Sequence, residues 1–228
     1  MFIGKYIEFK SLLFQITYQL IQKMNIQQFL KNIRSKKNDI PLYKPIKKEK
    51  PNNIIEVTSA WKGHESIIKD IIDRFNISRK SCIEFGVEFG YSTVVFSNYF
   101  ERVIGIDTFQ GDVNTVNKEG HFEDTKQRLS RFSNIKLIKS DYRDWIIQDK
   151  NRYDFAHVDI VHKYAETFEC GLWAAQHSDC ATFHDTESFL EVRNAVKDIA
   201  KITGQELYNY PFYHGLGILV DRNINYRR

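Results

Sequence analysis

The feature that most constrains this chain is a regular alternation of strand-like and helix-like segments from residue 81 onward. Short apolar runs are each followed by an amphipathic segment, as in 81–85 with 93–100 and 135–139 with 145–148. Strands separated by helices form a parallel sheet covered on both faces. The last two runs, near 206–210 and 215–220, have no helix between them and predict an antiparallel C-terminal hairpin. The predicted fold class is therefore α/β, a Rossmann-like, doubly wound, mostly parallel seven-stranded sheet.

The chain ahead of this pattern divides into an arm and a linker. Apolar residues recur at three- and four-residue steps over residues 1–34, which predicts an amphipathic helical arm. Residues 35–53 are polar and hold three of the four prolines in the chain, which is typical of a linker. The main domain is then expected to occupy residues 54–228.

Charge is distributed unevenly between the arm and the domain. Residues 1–50 carry a net charge of +8, whereas the remaining residues carry −4. A nucleic-acid-binding domain would itself show a basic stripe, so no nucleic-acid partner is expected. The apolar face of residues 1–34 can pack on the domain, on a second copy in a homodimer, or peripherally on a membrane surface. The three cysteines are widely spaced, which favours a reducing, cytoplasmic setting with membrane association left open.

A glycine-containing loop follows the first predicted strand. Glu84, Gly86 and Gly90 define an E-x-G-x-x-x-G spacing, with Ser92 or Thr93 available to cap the next helix. Glycines let a backbone turn tightly and approach a ligand closely. Because the spacing is not G-x-G-x-x-G, a grip on the pyrophosphate of a dinucleotide is disfavoured.

Acidic residues follow the next two strands. Asp107 comes 21 residues after Gly86, where an acid can accept hydrogen bonds from ribose hydroxyls, and Thr108 stands beside it. Asp141 follows the third strand and can accept from an adenine amino group, while the ring of Tyr142 can stack nearby.

These three strand ends resemble the first three motifs of class I S-adenosylmethionine (SAM) dependent methyltransferases. The resemblance covers roughly residues 81–220 and implies SAM as the cofactor. The methionine end would lie at Glu84, Gly86, Gly90 and Ser92. The ribose would lie at Asp107 and Thr108, and the adenine at Asp141 and Tyr142.

Two further strand ends carry carboxylates and imidazoles. The fourth strand leads to Asp159 and His162, and the fifth to His184 and Asp185. Ligands of open α/β sheets bind at the carboxyl ends of the strands, so these four side chains are expected to converge. They can hold a hard divalent cation such as Mg²⁺, or act as a general base toward a hydroxyl nucleophile.

This half of the sequence resembles macrocin-type sugar O-methyltransferases and the cephalosporin-hydroxylase-like subgroup. The matching runs are D-x-x-H-x-Y from Asp159, H-D-T from His184, and D-T-F-Q-G from Asp107. The resemblance implies that Asp159 and Asp185 are metal ligands and that His162 lies beside the substrate oxygen. His184 would stand in the place of a third acid. Since imidazole suits Mg²⁺ poorly, both a different metal and no metal stay open.

The expected function is a SAM-dependent O-methyltransferase acting on a hydroxyl of a small polar acceptor, a sugar or glycan precursor. In this interpretation Asp159, His162 and His184 are the catalytic side chains. The alternative is a catalytically silent SAM-fold scaffold that is recruited through its basic N-terminal arm. A nicotinamide-dependent oxidoreductase is a weaker third hypothesis, because the glycine spacing argues against it.

Overall fold

The fold is taken from a computed structural model, which describes residues 40–111 and 120–221. The helical arm predicted for residues 1–34 lies outside the described residues. So does most of the segment between Gly111 and Gly120.

Seven strands form one sheet, and their first and last residues lie close to those of the segments predicted from the hydropathy pattern. The strands are β1 (Ser81–Phe85), β2 (Arg102–Asp107), β3 (Ile135–Lys139), β4 (Tyr153–Val158), β5 (Ser178–His184), β6 (Glu206–Tyr210) and β7 (Leu216–Val220). The central strands β1 and β5 are buried along almost their whole length, as expected for strands covered on both faces.

Six α-helices connect and cover the strands within the described residues. They are α1 (Ile68–Arg74), α2 (Tyr91–Ser97), α3 (Phe122–Leu129), α4 (Tyr142–Gln148), α5 (Tyr164–Gln176) and α6 (Leu190–Thr203). A short 3₁₀ turn, His64–Ser66, precedes α1. No helix in the described part of the chain is both long and apolar enough to cross a membrane.

The sheet order is β3-β2-β1-β4-β5-β7-β6, with β7 antiparallel to both of its neighbours. The predicted fold class, including the antiparallel C-terminal hairpin, is confirmed. Winding proceeds from β1 toward β3 on one side and then from β4 outward on the other. The reversal leaves a crevice between the carboxyl ends of β1 and β4, which is where ligands of such sheets bind.

Part of the segment predicted as a linker packs into this fold. The compact unit of the structure begins at Ile40, which is buried together with Tyr43. The backbone N–H of Tyr43 donates to the carbonyl of Asn209 (2.8 Å), and the Tyr43 hydroxyl donates to Asp70 of α1. Residues 40–53 therefore differ from a free linker, because their side chains and backbone groups find partners in the sheet and in α1.

Candidate active site

The glycine loop between β1 and α2 depends on backbone shapes that side chains disfavour. Gly86 and Gly90 have φ of +88° and +86°. A Cβ on Gly86 would lie 1.7 Å from the carbonyl oxygen of Asp159, so the loop approaches the end of β4 as closely as glycine allows. The loop and the end of β4 therefore line the same crevice.

Glu84 is fully buried beneath this loop. The hydroxyls of Ser92 and Thr93 both donate to its carboxylate. Burial raises the pKa of the Glu84 carboxyl to about 8, against the lowering effect of the two hydrogen bonds. The prediction that Ser92 or Thr93 caps α2 is wrong, because the residue at the N-cap is Gly90 and both hydroxyls face Glu84. Glu84 therefore ties the start of α2 to β1.

Asp107, at the end of β2, holds the glycine loop in place. One carboxylate oxygen accepts from the N–H groups of Val87 and Glu88, both at 2.8 Å, and the other accepts from the N–H of Phe109 at 2.7 Å. These backbone donors have no sequence signature, so the sequence did not reveal this role. Ribose binding by Asp107 and the neighbouring Thr108 stays a prediction.

The predicted adenine side of the crevice is formed by the start of α4. Asp141 is the N-cap, and its side chain accepts from the N–H of Arg143 at 2.8 Å. Tyr142 is buried, and its hydroxyl donates to Glu169 of α5 at 2.8 Å. Both residues thus have structural partners at the edge of the site, and their contacts with adenine stay predictions.

The four side chains expected to converge do so. His162 Nε2 lies 2.7 Å from Asp185 Oδ2 and 3.5 Å from Asp159 Oδ1. His184 Nδ1 lies 3.1 Å from Asp159 Oδ2 and 3.3 Å from Asp185 Oδ2. We refer to Asp159, His162, His184 and Asp185 as the Asp/His cluster.

The cluster balances its charges internally. Burial disfavours charge on every member, but the mutual attraction and hydrogen bonds outweigh it. The pKa of His162 rises to about 9 and that of His184 to about 10, while the pKa of Asp185 falls to about 2 and that of Asp159 falls further. Near neutral pH the cluster therefore contains two imidazolium groups against two carboxylates.

The surroundings hold the cluster in one geometry. The His162 ring stacks on Phe189, with centroids 4.2 Å apart. Asp185 has φ of +65°, a left-handed conformation that costs a non-glycine residue strain and that concentrates at functional sites. Thr186, the next residue, anchors this turn by donating to the side chain of Asn209 at 2.6 Å.

Three ligand atoms of the cluster could hold a metal ion. One atom each from Asp159, His162 and Asp185 lie within 4.8 Å of one another. Two carboxylates and one imidazole suit Mn²⁺, Fe²⁺ or Zn²⁺ at least as well as Mg²⁺, which prefers oxygen alone. A cation bound there would displace the proton from His162, since a metal ligand must be the neutral imidazole.

His64, from the short turn ahead of α1, packs against the Asp/His cluster. Its ring lies 5.2 Å from that of His184, edge to face, and it is fully buried. Burial lowers the pKa of His64 to about 3, with the charge of His184 adding to the effect. His64 is therefore a neutral imidazole next to a charged one.

The sheet order, the glycine loop at the β1–β4 crevice and the strand-end acids together define the fold of class I SAM-dependent methyltransferases. The solved structures that align with this chain include several methyltransferases. No protein-family description matches the sequence, and no curated protein matches it.

Three solved structures illustrate the likeness. A Staphylococcus aureus protein assigned as a caffeoyl-CoA O-methyltransferase aligns with a TM-score of 0.54 and 16% identity, over 74% of this chain and 86% of its own. The O-methyltransferase from Bacillus cereus in complex with S-adenosylhomocysteine aligns at 0.50 and 13%, over 73% and 83%. The Podospora anserina methyltransferase PaMTH1, also bound to S-adenosylhomocysteine, aligns at 0.50 and 11%, over 72% and 79%. At these identities the likeness establishes the fold.

Proposed function

We propose that the protein is a SAM-dependent O-methyltransferase whose acceptor is a hydroxyl on a small polar molecule, a sugar or glycan precursor. The observation that carries this proposal is the contact between Gly86 and Asp159, which joins the glycine loop to the Asp/His cluster in one crevice. The S-adenosylhomocysteine found in two of the neighbours supports SAM as the cofactor.

The chemistry assigned to the cluster is positioning and proton uptake. SAM supplies an electrophilic methyl group when bound. Asp159 is the more exposed of the two carboxylates, with 27% of its side chain accessible against 9% for Asp185, and it accepts a hydrogen bond from the acceptor hydroxyl. As the hydroxyl oxygen attacks the methyl group, its proton passes to the Asp159 carboxylate, because His162 and His184 already carry theirs, and the two imidazolium groups stabilise the negative charge near the oxygen.

In a second version of this proposal, the Asp/His cluster binds a divalent cation. Bound by Asp159, His162 and Asp185, it would lower the pKa of the acceptor hydroxyl by direct coordination. The metal-free version predicts full activity in EDTA, whereas the metal version predicts activity that is lost in EDTA and restored by added cation. Restoration by Mn²⁺ rather than Mg²⁺ would match the mixed donor set.

The narrower kinship with the macrocin and cephalosporin-hydroxylase-like subgroup is part of the proposal. It rests on the motif runs that begin at Asp107, Asp159 and His184. The sugar or glycan acceptor follows from that kinship alone.

The primary experiment separates binding from turnover. Calorimetry with S-adenosylhomocysteine should show binding to the wild type and to Asp159→Ala, while Asp107→Ala loses it because the loop amides lose their acceptor. Methyl transfer to a panel of sugar acceptors should fall at least ~100-fold in Asp159→Ala. Unchanged turnover would remove Asp159 from the mechanism.

The alternative class is a catalytically silent scaffold recruited through the basic arm. It predicts that the wild type binds neither SAM nor S-adenosylhomocysteine in a thermal-shift screen. NAD in the same screen tests the oxidoreductase hypothesis. Removing residues 1–39 would then abolish recruitment.

A further inference from the structure

The loop between β6 and β7 presents two aromatic side chains to solvent. Phe212 is 59% exposed and Tyr213 is 48% exposed, although both pack against the buried ring of Tyr210. We call Phe212 and Tyr213 the aromatic shelf. Large exposed aromatic groups that lie side by side mark binding surfaces more often than isolated ones do.

The shelf is continuous with the Asp/His cluster. The Tyr213 ring lies 5.7 Å from the ring of His64, and His64 lies 5.2 Å from His184. The ring of His214, the next residue, lies 6.1 Å from that of His184. The shelf is therefore linked to the Asp/His cluster by ring contacts through His64 and His214.

The loop is held in this shape at an energetic cost. Tyr213 and His214 have φ of +53° and +74°, both left-handed. The His214 carbonyl accepts from the N–H groups of Glu187 (2.8 Å) and Ser188 (3.2 Å), which fixes the loop to the turn after β5. A Cβ on Gly63 would lie 2.5 Å from the Tyr213 ring, so glycine there makes room for the shelf. Backbone strain of this kind concentrates at functional sites, which supports a role for the loop in binding.

A cation stands over the same surface. Lys48 Nζ lies 5.7 Å from the centroid of Phe212 and 5.4 Å from that of Tyr210. Among residues 40–111 and 120–221, no carboxylate forms an ion pair with Lys48, and its side chain is exposed. The shelf thus combines flat apolar faces with an ammonium group that is available to an anion.

We propose that the aromatic shelf and Lys48 bind the acceptor, and that the acceptor is a sugar ring carrying a phosphate. This inference rests on the proposed function, which it deepens by naming the substrate class. The C–H face of a sugar ring stacks on Phe212 and Tyr213, the phosphate pairs with Lys48, and a ring hydroxyl is directed toward the Asp/His cluster. A lysine suits this role because it binds phosphate as a point charge.

The experiment measures binding of sugar phosphates to the full-length protein by saturation-transfer NMR. The probes are glucose 1-phosphate, fructose 6-phosphate and UDP-glucose, with glucose as the uncharged comparison. Phe212→Ala and Tyr213→Ala should each raise the Kd about tenfold, the effect of losing one stacked ring. Lys48→Ala should abolish the preference for phosphorylated probes over glucose. The matched controls are Ile147→Ala and Lys201→Ala, exposed residues of α4 and α6, which should leave the Kd unchanged.

Three outcomes would overturn the inference. The first is that none of the phosphorylated probes binds the wild type. The second is that the shelf variants bind these probes as tightly as the wild type does. The third is that the shelf variants lose affinity for anionic phosphatidylglycerol vesicles and not for the sugar phosphates. Calorimetry with S-adenosylhomocysteine on the same proteins keeps the two proposals apart. If the variants bind both S-adenosylhomocysteine and the sugar phosphates as the wild type does, the shelf proposal alone is rejected. If the wild type does not bind S-adenosylhomocysteine, the methyltransferase proposal is rejected.

Discussion

At Gly86 the backbone leaves no space for even a methyl group. We expect Gly86→Ala to lower the free energy of unfolding by more than about 3 kcal/mol, because strain at positive φ adds to a clash with the Asp159 carbonyl. The same displacement should abolish binding of S-adenosylhomocysteine. Denaturant unfolding and calorimetry measure the two effects.

Gly204 is a matched control for this substitution. It also has positive φ (+70°), but a Cβ there would meet nothing within 4 Å. Gly204→Ala should therefore cost only the backbone strain, roughly 1 kcal/mol, and should leave binding of S-adenosylhomocysteine intact. Equal losses in the two variants would show that strain, rather than the close approach to β4, decides the effect.

The Asp/His cluster makes stability depend on pH. The folded-state pKa values of His162 and His184, about 9 and 10, lie above the unfolded value near 6.5. Their stabilisation is therefore fully present below pH 6.5 and is lost as the pH rises through 9 to 10. The low pKa of Asp185, about 2, acts in the opposite sense and matters only as the pH falls from about 4 through 2.

We accordingly expect wild-type stability to fall by several kcal/mol between pH 7 and pH 9.5. Asp159→Asn should flatten this slope, since it removes one carboxylate that holds both imidazolium groups. Thermal unfolding across that pH range measures it, with Asp144→Asn, on the exposed part of α4, as the control. A slope that is identical in wild type and Asp159→Asn would contradict the charge assignment.

At the start of α4, Asp141 was predicted only to bind adenine, and in the structure it also caps the helix. Asp141 accepts from the N–H of Arg143, so Asp141→Ala should lower the free energy of unfolding by about 1 kcal/mol, while Asp141→Asn should preserve the cap. If Asp141 also binds adenine, Asp141→Ala should raise the Kd for S-adenosylhomocysteine more than tenfold, well beyond what loss of the cap explains. Chemical unfolding and calorimetry on both variants separate the two roles.

The presence of each strand and helix was easier to predict from the sequence than the residue at which it begins. Alternating strand and helix patterns identified all seven strands, because burial on both faces leaves continuous apolar runs. Helix starts were placed two or three residues late, at 93 and 145 instead of Tyr91 and Tyr142. The apolar pattern does not register an N-cap, so Gly90 and Asp141 were interpreted only as ligand-binding residues.

The site was predictable where it consists of strand-end side chains. Asp159, His162, His184 and Asp185 converge because parallel strands bring their carboxyl ends to one edge. The loop amides that Asp107 binds could not be predicted, since a backbone N–H is common to every residue. The contact of His64 with His184 depends on how the chain ahead of α1 packs, which no local sequence pattern determines.

At the scale of the whole molecule, the start of the compact unit is the point where sequence and structure differ most. Proline and lysine content predicted a linker up to residue 53, yet Ile40 and Tyr43 are buried. Asp70 of α1 accepts the Tyr43 hydroxyl and also the backbone N–H groups of Ile46 and Lys47, at 3.0 and 2.9 Å. The polar composition of residues 40–53 does not indicate these contacts, because they are made by backbone N–H groups and by two isolated side chains, Ile40 and Tyr43.

Truncation tests where the folding unit begins. A chain starting at Ile40 retains every contact just described and should unfold cooperatively and bind S-adenosylhomocysteine. A chain starting at Ile54 loses the burial of Ile40 and Tyr43, which should cost more than about 3 kcal/mol and leave Asp70 without three donors. Thermal unfolding of the two proteins gives the comparison, and Tyr43→Phe in the longer chain isolates the share of the hydroxyl. If both truncations were equally stable, residues 40–53 would be a linker after all, and the placement of Lys48 over the aromatic shelf would lose its structural basis.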